Sequence, residues 1–168
     1  NWLPDNLKVG DRVEISGPKG KFCLVPGQVP KKILFLAAGS GITPLISMAR
    51  WLCDLSANVD LKFLNCIQTP DDIIFGRELE LFAGRHGNFE TVLSTTSRGS
   101  APGWTGLTGR IDRAMIERVA PDLGERHVYL CGPDGFMAAA KGLLEELGFD
   151  PARLHSESFA GPRSRSDE

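Results

Sequence analysis

Ile33-Leu-Phe-Leu-Ala-Ala-Gly39-Ser-Gly-Ile-Thr-Pro44 decides how this chain folds. Its first six residues are a continuous apolar run, the pattern of a strand buried on both faces. Just beyond it, Leu45, Met48, Ala49 and Leu52 fall at i, i+3, i+4 and i+7, which predicts a helix over residues 44–55. A buried strand, a glycine-bearing turn and an amphipathic helix make one β–α unit of a parallel sheet.

The same alternation continues toward the carboxyl terminus. Residues 59–68 read as a second strand, 75–85 as a helix and 89–96 as a third strand, followed by a long polar loop over 97–108. Asp112 is placed to cap a helix that runs to about Val119. Residues 127–131 read as a fourth strand, 133–147 as a helix ended by Gly148, and 153–159 as a fifth strand. The fold class is therefore α/β, a five-stranded parallel sheet with helices on both faces. Toward the amino terminus the pattern changes. Val9-Gly-Asp-Arg-Val-Glu-Ile-Ser-Gly-Pro alternates apolar and polar and stops at a Gly-Pro turn, predicting one strand whose partners the chain does not supply. Three segments follow: 1–28, the α/β unit 29–160, and a linker-like tail over 161–168.

Composition narrows the function classes. The 168 residues carry 19 basic and 21 acidic side chains, a net charge of −2, which argues against nucleic acid and against an anionic membrane as partners. No apolar run approaches the ~18 residues of a membrane span. Asn1-Trp-Leu-Pro-Asp shows no secretory signal and no Met, so the chain reads as part of something longer. Cys23, Cys53, Cys66 and Cys131 form no Cys-x-x-Cys, and His86, His127 and His155 share no metal spacing, so no metal site is expected. Cys66 and Cys131 lie in apolar strands, which suits free thiols in a reducing cytoplasm.

Two turns can carry chemistry. Gly39-Ser-Gly-Ile-Thr-Pro44 is neither the Gly-x-Gly-x-x-Gly fingerprint nor a P-loop, yet it has the physics of a phosphate site. Gly39 and Gly41 let backbone approach an anion, Thr43 can serve as N-cap, and Pro44 is preorganised at the first helical position. Free N–H groups and the positive end of the helix dipole then face the loop. A ligand-free strand–helix turn uses the same residues. Tyr129-Leu-Cys-Gly-Pro-Asp-Gly-Phe-Met137 repeats the strand–turn–helix plan and sets Cys131 at the sheet edge where open α/β folds bind ligands. A buried cysteine before a helix start is its plain reading. Asp71-Asp72 reads most simply as an acidic pair at a helix N-terminus.

Taken in this order, the two motifs resemble the pyridine-nucleotide domain of the ferredoxin–NADP reductase superfamily. Within it the chain is most similar to NADH-dependent reductases that pair FAD with a plant-type [2Fe–2S] ferredoxin domain and feed oxygenases. The resemblance implies strand order 3-2-1-4-5 and makes residues 1–28 the closing piece of an FAD-binding β-barrel. It implies that Gly39, Ser40, Gly41, Thr43 and Pro44 hold the NAD(P)H pyrophosphate, with Thr43 near the nicotinamide. Cys131, Gly132 and Pro133 would line the place where nicotinamide meets flavin, with Glu157 and Phe159 beside it. Trp104-Thr-Gly-Leu-Thr-Gly-Arg110 resembles the family's Trp-x-Gly-x-x-Gly-Arg loop, which folds the loop or shapes the nucleotide pocket. The family's main flavin motifs and ferredoxin cysteines are absent from this segment. FAD and [2Fe–2S] would belong to further domains of the same longer chain, with an oxygenase or another redox acceptor as partner. A non-catalytic nucleotide-binding regulatory domain is the alternative.

The choice between NADH and NADPH is read from two loops. Gln68-Thr-Pro-Asp-Asp72 offers two carboxylates, which repel a 2′-phosphate and suit a ribose hydroxyl. Ser97 and Arg98 look like the pair that plant-type relatives use for that phosphate, but they open a glycine-rich loop. The balance favours NADH.

Overall fold

The structure, a computed structural model, describes residues 2–17, 19–97 and 103–159. The apolar run forms strand β1 (Lys32–Ala38), buried from Ile33 onward. A strand with no polar residue on either side must have strands on both edges and layers on both faces. It has all four. β1 pairs in parallel with β2 (Asp60–Ile67) on one side and β5 (His127–Cys131) on the other. β2 continues to β3 (Phe89–Thr95), and β5 to β6 (Leu154–Glu157), every pairing parallel.

The sheet has six strands rather than five. A two-residue strand β4 (Leu107–Thr108) adds to the outside of β3, giving the order β4-β3-β2-β1-β5-β6. Without β4 the order is the one expected. Two residues are too short to leave a periodic signal, and the pairing exists only because the loop after β3 folds back. Trp104 closes that fold, its Nε1–H donating to the Leu107 carbonyl at 2.9 Å.

Helices cover the sheet as right-handed crossovers require. Side chains at alternate positions of β1 part to two layers. Ile33, Phe35 and Ala37 pack under α2 (Ile42–Asp54) and α3 (Gly76–Arg85). Leu34, Leu36 and Ala38 pack under α4 (Arg113–Val119) and α5 (Asp134–Glu146). Asp112 caps α4 as expected, accepting from the Met115 N–H at 2.8 Å. No helix among the described residues is long and apolar enough to cross a membrane.

Residues 2–17 depart from expectation. Residues 9–17 form no strand, and Val9, Val13 and Ile15 are exposed. Ahead of them a short helix, α1 (Trp2–Asn6), also leaves Trp2 and Leu3 exposed. An alternating sequence becomes a strand only where a neighbour takes up its backbone groups, and none does here. Contact with the sheet begins at Phe22, Leu24 and Val29, which pack on the α2 side. The tail over 161–168 lies outside the described residues.

Candidate functional site

All six strands point the same way, so every strand ends on one edge, and the chain crosses from β3 and β4 back to β5 there. β1 and β5 are therefore the switch point, where loops diverge and leave a crevice. A cavity of about 770 Å³ opens at this edge, within the range of small-molecule sites. Its lining includes Gly39, Gln68, Asp72 and Pro133, residues singled out from the sequence. Cys66, Ile67, Ile73, Ile74, Ile111 and Phe136 add apolar wall, and Asp71, Thr96 and Arg110 add polar groups.

The turn after β1 differs from expectation in its details. Gly39–Gly41 form a single 3-10 turn that runs into α2, and the helix starts at Ile42. Thr43 is thus inside the first helical turn and is not the N-cap; its hydroxyl donates to the Ser40 carbonyl at 3.0 Å. Gly39 has φ +51°, has open space where a Cβ would stand, and faces the cavity. Gly41 serves a different close approach. A Cβ there would sit 2.2 Å from the Cys131 carbonyl oxygen, so this glycine seats α2 directly on the end of β5. Ser40 and Thr43 are exposed and Pro44 is half-buried, all three outside the cavity wall.

A second group of sequence-predicted residues meets at the ends of β5 and β6. Cys131 and Glu157 are register partners across these strands. Cys131 is fully buried on the α2 side, and burial, with Glu157 nearby, pushes its thiol pKa up. That shift disfavours the thiolate, the nucleophilic form of the side chain. Cys66, on the opposite face, is pushed by burial to about 12. Gly132 is buried, while Glu157 and Phe159 are exposed. Ser158 donates to Asp134 at 3.0 Å, pinning this strand end to the first turn of α5.

The loop after β2 also corrects the sequence reading. Asp71 and Asp72 do not head α3, which begins four residues later at Gly76. They close a 3-10 turn, Pro70–Asp72, where Asp72 Oδ2 accepts from the Thr69 N–H at 2.9 Å and its hydroxyl at 2.7 Å. Pro70 starts that turn and the extended backbone at Ile73 ends it, so no longer helix can form. Asp72 is held by these bonds with Oδ1 left over. Ser97 is exposed beside this loop, its N–H donating to the Gln68 carbonyl at 2.8 Å. Arg98 lies outside the described residues. Ile73, Ile74 and Ile111 escaped the sequence reading, and Arg110 entered it only as the last residue of the Trp104 loop. Their signal was position alone: each follows the carboxyl end of a strand.

A parallel sheet with a switch-point cavity, a glycine turn open to it and a carboxylate at its far side defines an α/β nucleotide-binding domain. Comparison with known proteins agrees. Residues 35–142 match the oxidoreductase NAD-binding domain family, and the chain belongs to it. The chain is 43% identical over 169 residues to the glycine betaine monooxygenase reductase subunit of Pseudomonas aeruginosa, covering 99% of itself and 46% of that protein. It is 37% identical over 167 residues to the stachydrine N-demethylase reductase subunit of Rhizobium meliloti, covering 99% of itself and 47% of the relative. It thus spans about half the length of these curated relatives. Among solved structures, the cytochrome b5 reductase domain of Ulva prolifera nitrate reductase superposes with a TM-score of 0.82 at 28% identity, over 93% of this chain and 64% of that one.

Proposed function

We propose that this chain is the NADH-presenting module of a flavin-dependent reductase that feeds electrons to an oxygenase. The observation that carries the reading is the continuity of the carboxyl edge. The cavity, the Gly39–Gly41 turn and the Cys131–Glu157 pair lie in one line across β2, β1, β5 and β6. That line suits a dinucleotide laid across the switch point, adenosine half in the cavity and nicotinamide half toward Cys131 and Phe159.

Each part of the chain then has a task. Gly39 brings bare backbone against the pyrophosphate. Asp72 Oδ1 accepts from a ribose hydroxyl, and two carboxylates in the wall disfavour the extra phosphate of NADPH. Pro133, backed by the buried Cys131 and Gly132, gives a neutral surface for the nicotinamide, and the exposed Glu157 and Phe159 face the electron acceptor. A bound nucleotide would supply a hydride for transfer to FAD, with a [2Fe–2S] centre supplying the onward one-electron path. These two groups belong to flavin-binding and ferredoxin-like domains of a longer cytoplasmic chain, for which the relatives' names as reductase subunits give support. Residues 1–28, in which Trp2, Leu3, Val9, Val13 and Ile15 are exposed, are the end of that flavin-binding domain.

Titration of the 168-residue chain with NADH tests the first half. Saturable binding to a colourless protein is expected, with no ferricyanide reduction until a flavin-carrying partner domain is present. Failure to bind NADH, or turnover by the colourless chain, overturns the proposal.

A further inference from the structure

His127 and His155 meet on the α2 side of the sheet, at its outer strand pair. His127 opens β5, and His155 lies on β6, whose backbone pairs with β5 alone. His127 Nδ1 and His155 Nε2 stand 3.1 Å apart. The ring centroids are 5.4 Å apart with the planes 12° from parallel, so the rings meet edge to edge, a nitrogen of each on the line between them. His155 also stacks on Tyr129, its register partner, with centroids 4.4 Å apart and planes at 19°.

That geometry sets a proton count. A hydrogen bond between two imidazoles needs one N–H and one bare nitrogen. A first added proton goes to the outer nitrogen of the donating ring and leaves the bond in place. A second must go to the accepting nitrogen, and two N–H groups then face each other across 3.1 Å. The surroundings resist protonation. Burial lowers the pKa of both rings; Arg153 lowers His127 further, opposed by Asp150, and His127 lowers His155. Lys31, Lys32, Glu125 and Arg153 line a cavity with His127, where Lys32 and Glu125 are paired with each other; Cys23 lies near Tyr129.

β6 depends on such a tie more than an inner strand does. It is four residues long, with Leu154 packed on the opposite face against the core under α5 and Ser158 bonded to Asp134 beyond its end. His155 and Glu157 share one face of the strand, and Phe159 follows two residues on. We propose that His127 and His155 are positioning residues, a latch that holds β6 at the sheet edge with no added proton or one and releases it with two. The latch stands on the histidine geometry; its bearing on electron transfer rests on the reading that Glu157 and Phe159 face the acceptor.

Amide hydrogen exchange of the 168-residue chain, followed by NMR from about pH 7.5 to about pH 5 and corrected for the intrinsic rate, compares β6 with β1. Opened β6 takes up protons that the closed pair excludes, so its protection should fall about tenfold as pH drops below the ordinary histidine value of 6.5, while β1 holds. His127→Ala should cost β6 about fivefold in protection at about pH 7.5. His127→Asn combined with His155→Gln puts amide groups where Nδ1 and Nε2 stand, so a hydrogen bond remains that cannot titrate. That variant should keep β6 within about twofold of the unaltered chain at about pH 7.5 and stay flat on acidification. Protection of β6 that ignores acid in the unaltered chain, or acid loss that persists in the double amide variant, overturns the latch. So does an equal fall in β1, which marks global opening, or full β6 protection in His127→Ala. Failure of the chain to bind NADH would strike the nucleotide reading alone, since no exchange measurement here uses a ligand.

Discussion

The two edges of one sheet are built on opposite principles. At the amino edge, Arg126 is buried to 1% exposure and spends its guanidinium on four groups. It donates to the Ile33 carbonyl at 3.2 Å, to the Asp60 carbonyl at 3.1 Å, and to the carboxylates of Asp60 and Asp122 at 2.9 and 2.6 Å. Lys32 closes the network against Asp122 and Glu125. The starts of β1, β2 and β5 are thereby tied together. At the carboxyl edge the strands splay into loops around the cavity, and Asn65 Oδ1 and Thr95 Oγ1, toward the ends of β2 and β3, are buried with no hydrogen-bond partner among the described residues. The satisfied edge holds the sheet; the open edge is where the proposed nucleotide's groups would find partners.

Breaking the amino edge should have the largest effect. Arg126→Met removes a donor from two backbone carbonyls and two carboxylates, of which Asp122 keeps Lys32. Removing one side of a buried pair costs about 3–5 kcal/mol, but Asp60 keeps 41% and Asp122 25% of its side chain exposed, so water compensates in part. A loss of about 2–3 kcal/mol is expected, lowering the melting temperature by roughly 5–10 °C for a chain this size. NADH affinity should stay within about twofold at temperatures where the variant is folded. A destabilisation below about 1 kcal/mol, or a large change in NADH affinity, would merge the two edges.

Gly41→Ala strikes the other edge. Gly41 has φ −62°, which alanine adopts freely, so the substitution tests only the contact of the new methyl with the Cys131 carbonyl. Displacing the first turn of α2 from β5 should cost about 2 kcal/mol and also weaken NADH binding. Equilibrium denaturation and NADH titration read both. Unchanged NADH affinity would separate the turn from the site.

Acid provides the finest comparison. Burial raises the Asp122 pKa, but hydrogen bonds from Arg126 and Lys32 and their charges outweigh it and hold the group at about 2, below its usual 3.8. A carboxylate with a depressed folded-state pKa gives stability that is present above its unfolded value and lost as pH falls through the folded one. The contribution, on the order of 1–2 kcal/mol, should disappear between about pH 4 and pH 2. In Arg126→Met that acid slope should flatten. A slope the same in both proteins would place the acid lability elsewhere.

What was legible in the sequence was local. The apolar run of β1, the stripe of α2 and the Asp112 cap were readable, because period and caps act over a few residues at a time, whereas the strand order was implied by the family resemblance and only permitted by crossover handedness. Where a reading depended on a neighbour, it failed. Residues 9–17 alternate like a strand but have none beside them, and Asp71-Asp72 close a 3-10 turn because Pro70 opens it and extended Ile73 ends it.

By itself, then, the sequence determined the β–α alternation, the parallel sheet, and the two turns that mark its carboxyl edge, since each is written in contiguous residues. Tertiary structure alone decided the rest. Arg126 reaches Ile33 across 93 positions, Gly41 presses on Cys131, and Arg110 comes to face the cavity that Asp72 also lines. Nothing in the spacing of those residues forecasts their meeting, because packing brings together side chains whose separation along the chain carries no periodic signal.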